Sequence, residues 1–136
     1  MTELLPCGPA PDGVDEPFWT GLAAGVVRLP RCSACGTWRA PSQVLCRECR
    51  SFGTAWEEVA ATGRVFTWAR THRAFMSELD AEVPYLTVLV ELDDCPVRLL
   101  GVLRDADDIT IGDRVLGAVE RPPGSPWQVL RWRRAS

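Results

Sequence analysis

Residues 32–49 read CSACGTWRAPSQVLCREC, and this stretch contains two C-x-x-C pairs separated by ten residues. Each pair can place two thiolates on one tight turn, and two such turns supply four soft ligands in a tetrahedron, which suits Zn²⁺. The spacing therefore predicts a zinc ribbon with Cys32, Cys35, Cys46 and Cys49 as ligands. Because all four coordination positions come from protein, we expect a structural site rather than a catalytic one.

Two alternatives to zinc follow from the same residues. The four cysteines can form two disulfides or remain free thiols, although the spacing favours a metal. Iron, as in a rubredoxin, also suits four thiolates, and sequence does not separate the two metals, so zinc is favoured over iron here without being decided. Gly36 fits a sharp turn after the second thiolate. The charges of the nearby arginines help keep the thiols ionised, and these are Arg31, Arg39, Arg47 and Arg50.

The length and composition indicate a globular protein. A chain of 136 residues, 46% of them hydrophobic, can hold a small metal-stapled module beside a small barrel. We expect no membrane partner, because no apolar run is long enough to cross a bilayer, and no export signal precedes the fold. The predicted location is therefore cytoplasmic, where thiols stay reduced. Cys7 and Cys95 are interpreted as ordinary small side chains.

The inventory of reactive side chains is small. All fifteen basic residues are Arg, there is no Lys, and His72 is the only histidine. This excludes a Schiff-base lysine and a phosphate loop of the G-K-[ST] type. His72 is interpreted as a surface residue at the end of a strand, with a catalytic base as the alternative.

Charge is distributed unevenly along the chain. Residues 26–50 carry five Arg and one acid, residues 78–113 carry ten acids and two Arg, and residues 114–136 carry five Arg and one acid. The acidic middle would repel phosphates, so nucleic acid is an unfavoured partner and a protein partner fits better.

The predicted fold is mainly β, with a short N-terminal helix, a rubredoxin-like zinc ribbon and then a small antiparallel OB-fold barrel. The expected boundaries are 1–25 for the lead-in and helix, 26–52 for the ribbon and 53–136 for the barrel. Asp15 is expected to cap the helix and Gly25 to end it, with Phe18 and Trp19 on its apolar stripe.

Short alternating segments with turn residues between them predict the barrel strands. Trp56–Val59 is expected to open the barrel weakly, and Tyr85–Leu92 to form a hairpin with Val97–Leu103. The remaining strand segments are 64–71, 114–120 and 127–132.

Three apolar pairs are candidate contacts for a partner or for acyl-CoA. Phe18 and Trp19 pack either on the chain's own core or in an interface. Phe66 and Trp68 alternate with arginines and can stack a base or an adenine ring, but the interpretation favoured here is that they fill the barrel. The third pair, Phe75 and Met76, lies in a long acidic loop and either docks on a partner or folds over the barrel.

Taken in order, these elements resemble a bacterial and archaeal family of stand-alone zinc-ribbon and OB-fold proteins associated with acyl-CoA metabolism. The resemblance runs from about Asp15 to Val119. One departure is Arg47, where relatives often carry Pro. The carrying residues are Glu16-Pro-Phe-Trp19, Gly21-Leu22, Arg31-Cys32-Ser-Ala-Cys35-Gly36, Pro41, Cys46, Cys49, Trp56, Gly63-Arg64-Val65, Pro84-Tyr85 and Ile111-Gly112-Asp113.

The resemblance implies an accessory subunit that is not catalytic by itself. Members of the family look like partners of thiolase-like enzymes, including lipid-transfer-protein-type aldolases that cleave side chains from steroid acyl-CoA thioesters. Whether CoA touches this chain is left open. Two other functions stay as alternatives: a single-stranded nucleic-acid-binding OB-fold protein, and an enzyme that acts alone on acyl-CoA through His72 or an acidic side chain.

Overall fold

The structure is a computed structural model that describes residues 9, 13–73 and 83–135. It confirms the predicted mainly-β architecture. In these ranges one helix is followed by seven strands, with the bounds α1 (Glu16–Ala23), β1 (Val27–Cys32), β2 (Thr54–Val59), β3 (Thr62–Thr71), β4 (Tyr85–Leu92), β5 (Arg98–Arg104), β6 (Arg114–Glu120) and β7 (Val129–Arg134). Within the same ranges, no helix has the length and apolar character needed to cross a membrane.

The helix α1 begins and ends as the sequence predicts, but Asp15 does not cap it through its side chain. Instead, Trp19 Nε1 donates a hydrogen bond to Asp15 Oδ2 at 3.0 Å. Gly25 ends the helix with a φ of 81°, a conformation that glycine adopts without steric cost. Leu22 is buried in the main hydrophobic core, so this short helix is held by packing rather than by its own propensity.

The ribbon contains a two-stranded antiparallel sheet formed by β1 and β2, which runs from the pair Val27 and Val59 to the pair Cys32 and Thr54. The assignment of residues 56–59 to the barrel is therefore wrong. The strand β2 has no buried face, so its side chains carry little information about its partner. Pairing with a strand more than twenty residues earlier decides its place.

The other five strands form a closed barrel in the order β3-β4-β5-β7-β6. All neighbouring pairs are antiparallel except β5 and β7, which run parallel. The predicted hairpin of β4 and β5 is confirmed. Leu86, Val88, Val90 and Leu92 of β4 all point into the core, as their alternation predicts.

Trp132 of β7 is fully buried in the core of the barrel. Two glycines make room for its indole. A Cβ on Gly101 would lie 2.8 Å from Trp132 Cδ1, and a Cβ on Gly117 would lie 3.2 Å from its Cζ3. At this level of the barrel interior, one large ring packs against two residues without side chains, a large-to-small match typical of small barrels.

Candidate metal centre

The two cysteine turns share one local design. In the first, the N–H of Gly36 donates to the carbonyl of Cys32 at 2.9 Å, and in the second, the N–H of Arg50 donates to the carbonyl of Cys46 at 2.9 Å. Both donor residues have positive φ, 80° for Gly36 and 61° for Arg50. Glycine adopts this conformation freely, whereas arginine does so at a cost.

The four cysteine sulfurs meet in one cluster. All lie within 4.8 Å of one another, and the Sγ atoms of Cys32 and Cys49, like those of Cys35 and Cys46, are 3.5 Å apart. A tetrahedral ion with metal–sulfur bonds of about 2.3 Å separates its sulfurs by about 3.8 Å, so the cluster fits such an ion. The four thiols are not bonded as disulfides, because a disulfide brings its sulfurs to about 2 Å.

Backbone donors prepare two of the four thiols for ionisation. The N–H of Cys35 lowers the pKa of Cys32 to about 5, and the N–H of Cys49 lowers the pKa of Cys46. The N–H of Ser51 acts in the same direction on Cys49, but hydrogen bonds with Cys32 and Cys35 outweigh it and raise the pKa of Cys49 to about 12. The neighbouring sulfurs therefore keep the Cys49 thiol protonated, and binding of a cation would have to displace that proton.

Arg31 supports the first turn from β1. Its Nε donates to the carbonyl of Gly36 at 2.7 Å, its Nη1 lies 3.3 Å from a carboxylate oxygen of Glu57, and its guanidinium stacks over Trp38 at 4.9 Å. The hydrogen bond to the Gly36 carbonyl holds the chain in place directly after Cys35.

Arg39 supports the second turn through contacts that could not be predicted from sequence. The side chain is 2% exposed, and Nη1 donates to the Val44 carbonyl at 3.2 Å and to Thr54 Oγ1 at 2.7 Å. Nη2 donates to the carbonyls of Ser51 at 3.3 Å and Gly53 at 2.6 Å. One buried guanidinium thus joins both sides of the second turn to the start of β2, whereas Arg47 lies exposed.

The candidate contact residues are placed differently from one another. Phe18 and Trp19 are half-buried against the core and meet edge to face at 5.5 Å. Phe66 and Trp68 are 44% and 40% exposed, so the interpretation that they fill the barrel is wrong. The two remaining candidates, Phe75 and Met76, lie outside the described residues.

Phe66 lies on the outer face of β3 together with Arg64, because Gly63 and Val65 are the buried residues of this part of the strand. A β-bulge between Val65 and Thr67 then breaks the strict alternation that put Phe66 and Trp68 on one side of the strand. Beyond Arg64, β3 also has no strand pairing with β6, so its second half extends past the closed part of the barrel. Trp68 lies on that extension. His72 follows directly, exposed beyond the end of β3, where the surface interpretation put it.

The ribbon also carries exposed apolar residues that were not predicted from the sequence: Val44, Leu45 and Phe52, here called the ribbon tip. These side chains are exposed, Phe52 by 72%. Arg39 holds the two chain segments that carry them near each other, because it binds the carbonyls of Val44 and Ser51. A signal was present in the sequence: a ribbon that is held by a metal has too little core to bury apolar residues next to its second C-x-x-C pair.

Two family models match the chain. Residues 19–55 match a model described as "ChsH2, rubredoxin-like zinc ribbon domain", and residues 56–119 match one described as "ChsH2, C-terminal OB-fold domain". The chain is also 32% identical over 95 residues to a "DUF35 domain-containing scaffold protein" of Methanocaldococcus jannaschii. It is 35% identical over 99 residues to a "Probable enoyl-CoA hydratase alpha subunit" of Thermomonospora curvata. These matches cover 67% and 70% of this chain, but 65% and 30% of the relatives.

Two solved structures share the architecture. A chain of the "Ltp2-ChsH2(DUF35) aldolase" superposes with a TM-score of 0.83 at 27% identity, and the match covers 95% of this chain and 100% of that one. A DUF35 protein of unknown function from Sulfolobus solfataricus superposes with a TM-score of 0.61 at 18% identity, covering 93% of this chain and 87% of that one. The second similarity shows the fold alone.

Proposed function

Because the chain belongs to the ChsH2 family of zinc-ribbon and OB-fold proteins, we propose that it is a non-catalytic accessory subunit of a thiolase-superfamily enzyme. The partner is an aldolase of the lipid-transfer-protein type or a thiolase, and it acts on acyl-CoA thioesters. The observation that carries this proposal is the similarity, over nearly the whole chain, to one component of the Ltp2-ChsH2(DUF35) aldolase. The resemblance noted from the sequence extends the proposal to steroid side-chain thioesters and to a cytoplasmic location.

The metal in this proposal is zinc. Cys32, Cys35, Cys46 and Cys49 would hold it, since their sulfurs already lie at distances that suit a tetrahedral ion. Such an ion, closed by four protein ligands, supplies folding free energy, typically about 10–16 kcal/mol in zinc-finger peptides. Arg31 holds the first cysteine turn and Arg39 holds the second, so the metal and these two arginines would together shape the ribbon.

Exposed apolar side chains support a protein partner. The ribbon tip and the pair Phe66 and Trp68 leave large apolar side chains in contact with solvent, and such surfaces are typical of interaction sites. We propose that both groups contact the enzyme, and that Phe18, Trp19, Phe75 and Met76 lie at the margin of the contact or of the acyl-CoA entrance. The subunit acts by ordering the partner's loops around the thioester, which lowers the entropic cost of the reaction.

Reconstitution with a thiolase-like enzyme from the same cell tests the proposal. We expect the two chains to co-elute, with thioester turnover by the pair and none by this chain alone. If Phe52 is a hot spot of the contact, Phe52→Ser should weaken the complex at least tenfold, because truncation of a hot-spot residue costs about 2 kcal/mol or more. Leu116→Ser is the matched control, since Leu116 is also exposed but lies on β6, in the barrel.

Two results contradict the proposal. A chain that stays monomeric beside every thiolase-like enzyme of its cell is not a partner subunit. A purified chain that turns over acyl-CoA unaided, and loses that turnover on His72→Ala, is an enzyme in its own right.

The exposure of Phe66 and Trp68 favours one second candidate, a single-stranded nucleic-acid-binding protein. Arg98 already covers Phe66, with its guanidinium carbon 3.6 Å from the ring centroid, so one stacking face is occupied. Oligonucleotide binding that weakens with salt and is lost on Trp68→Ala would favour this candidate. Failure to bind at low salt would remove it.

A further inference from the structure

The second cysteine turn contains a residue whose backbone conformation is unfavourable for its side chain. Arg50 has a φ of 61°, and its N–H donates to the Cys46 carbonyl at 2.9 Å. The equivalent residue of the first turn is Gly36, which has a φ of 80° and donates to the Cys32 carbonyl. Glycine adopts this conformation without steric cost, whereas a residue with a Cβ does not. The turn itself would therefore be more stable without the Arg50 side chain.

The rest of the fold does not offset the cost at Arg50. Its side chain is exposed, and its guanidinium makes no hydrogen bond, ion pair or ring contact in the part of the chain that the structure describes. Of the fifteen arginines, Arg121 alone shares this state within the same ranges. A strained residue whose side chain is not used internally is typical of binding sites, because the use lies in another molecule.

Arg50 is joined directly to the ribbon tip. Phe52 follows two residues later and is 72% exposed, and Arg39 holds the segment of Val44 and Leu45 near this part of the chain. An arginine and a large aromatic side chain next to each other on an exposed turn match the residue types that carry most of the binding energy of protein interfaces.

The charges of the second turn indicate what the partner surface must offer. Residues 40–53 carry three charged side chains, Arg47, Glu48 and Arg50. The first two pair with each other at 3.6 Å, so Arg50 is the one whose charge no neighbouring side chain compensates. A partner surface that is complementary to this turn therefore places a carboxylate beside an apolar area.

We propose that Arg50 and Phe52 form one anchor of the interface with the enzyme, in which Arg50 binds a carboxylate of the partner and Phe52 enters an apolar pocket beside it. This inference rests on the proposed function and names the chemistry of the enzyme surface that the ribbon tip fits. A guanidinium can donate two parallel hydrogen bonds to one carboxylate, which an ammonium group cannot do.

Affinity measurements with the thiolase-like enzyme that co-elutes with this chain test the anchor, with every variant made in the full zinc-loaded chain. Arg50→Gln should weaken the complex about tenfold, because a charge-assisted hydrogen-bonding group is lost. Arg50→Lys should recover only part of the affinity. Arg121→Gln is the matched control and should leave the affinity unchanged, because Arg121 is also exposed but follows β6 in the barrel.

Arg50→Gly separates an interface role from a structural one. It should raise the free energy of unfolding of the ribbon, because glycine adopts positive φ without strain, and it should weaken the complex as much as Arg50→Gln does. A side chain with a purely structural role would change stability and binding in the same direction. Zinc affinity, measured by competition with a chromophoric chelator, should stay close to that of the parent chain in both variants.

The proposal alone is overturned if the complex forms and Arg50→Gln binds the enzyme as tightly as the parent chain does. Equal weakening by Arg121→Gln, or a loss of zinc affinity that parallels the loss of binding, also overturns it and leaves the accessory-subunit function standing. If no thiolase-like enzyme binds the chain, both fail. If sedimentation shows a dimer of the purified chain that Arg50→Gln dissociates, the ribbon tip binds a second copy and the assignment to the enzyme is wrong.

Discussion

Replacing Arg39 with Met tests whether a buried guanidinium holds the metal ribbon together. Met retains much of the side-chain length but donates no hydrogen bond, so the four bonds to the second turn and to β2 are lost. The ribbon should consequently bind zinc less tightly, since its second turn is no longer fixed before the metal arrives.

The size of the loss in zinc affinity depends on whether the carbonyl acceptors keep another hydrogen bond once Arg39 is replaced. The Ser51 carbonyl retains the N–H of Cys46 at 3.0 Å, and the Gly53 carbonyl retains the N–H of Ser33 at 3.2 Å. Four hydrogen bonds at about 1 kcal/mol each give about 4 kcal/mol. Removal of a buried charge offsets part of this, so we expect a loss of about 2–4 kcal/mol. At about 1.4 kcal/mol per factor of ten, zinc affinity should fall roughly 30- to 700-fold.

Competition with a chromophoric chelator measures zinc affinity, and near-ultraviolet circular dichroism reports whether the barrel stays folded. Arg47→Met is the matched control, because Arg47 is exposed between the same two cysteines and should change the affinity little. An Arg39→Met protein that binds zinc within threefold of the parent chain would refute the reasoning.

Three further changes have defined outcomes. Arg50→Gly should raise the stability of the ribbon by up to about 1 kcal/mol, because it removes a side chain from a residue with positive φ. Gly36→Ala should lower the stability, because it adds a side chain at such a residue. A decrease for Arg50→Gly in a denaturant titration contradicts this reasoning. Gly101→Ala should destabilise the barrel by about 1–3 kcal/mol, since its Cβ would meet Trp132 Cδ1 at 2.8 Å, while the exposed neighbour Leu100→Ala should stay within about 0.5 kcal/mol. A hydrogen bond from Arg114 lowers the pKa of Asp93, so this pair stabilises the fold above the unfolded-state pKa of about 3.9, and the contribution is lost as pH falls through the lower folded-state pKa. Asp93→Asn should make the free energy of unfolding depend less on pH in the acid range. If that dependence below pH 4 is unchanged in the variant, the Asp93–Arg114 pair does not stabilise the fold.

The metal centre and the helix were predictable because their determinants are local. Two C-x-x-C pairs define two turns whatever the rest of the chain does, and Gly25 ends α1 through its own backbone freedom. The strand β4 was equally predictable, because its alternation reports directly which side faces the core.

The sequence by itself therefore determined the four-cysteine cluster, the helix, the strand-rich barrel and the family resemblance. Only the tertiary structure decided that β2 pairs with β1, that a bulge interrupts the alternation of β3, and that Arg39 is buried with one donor unused. The physical reason is the same in each case. The alternation of apolar and polar residues along a strand reports which of its side chains are buried. Strand partners, bulges and the surroundings of a charged side chain depend instead on residues that lie far away in sequence.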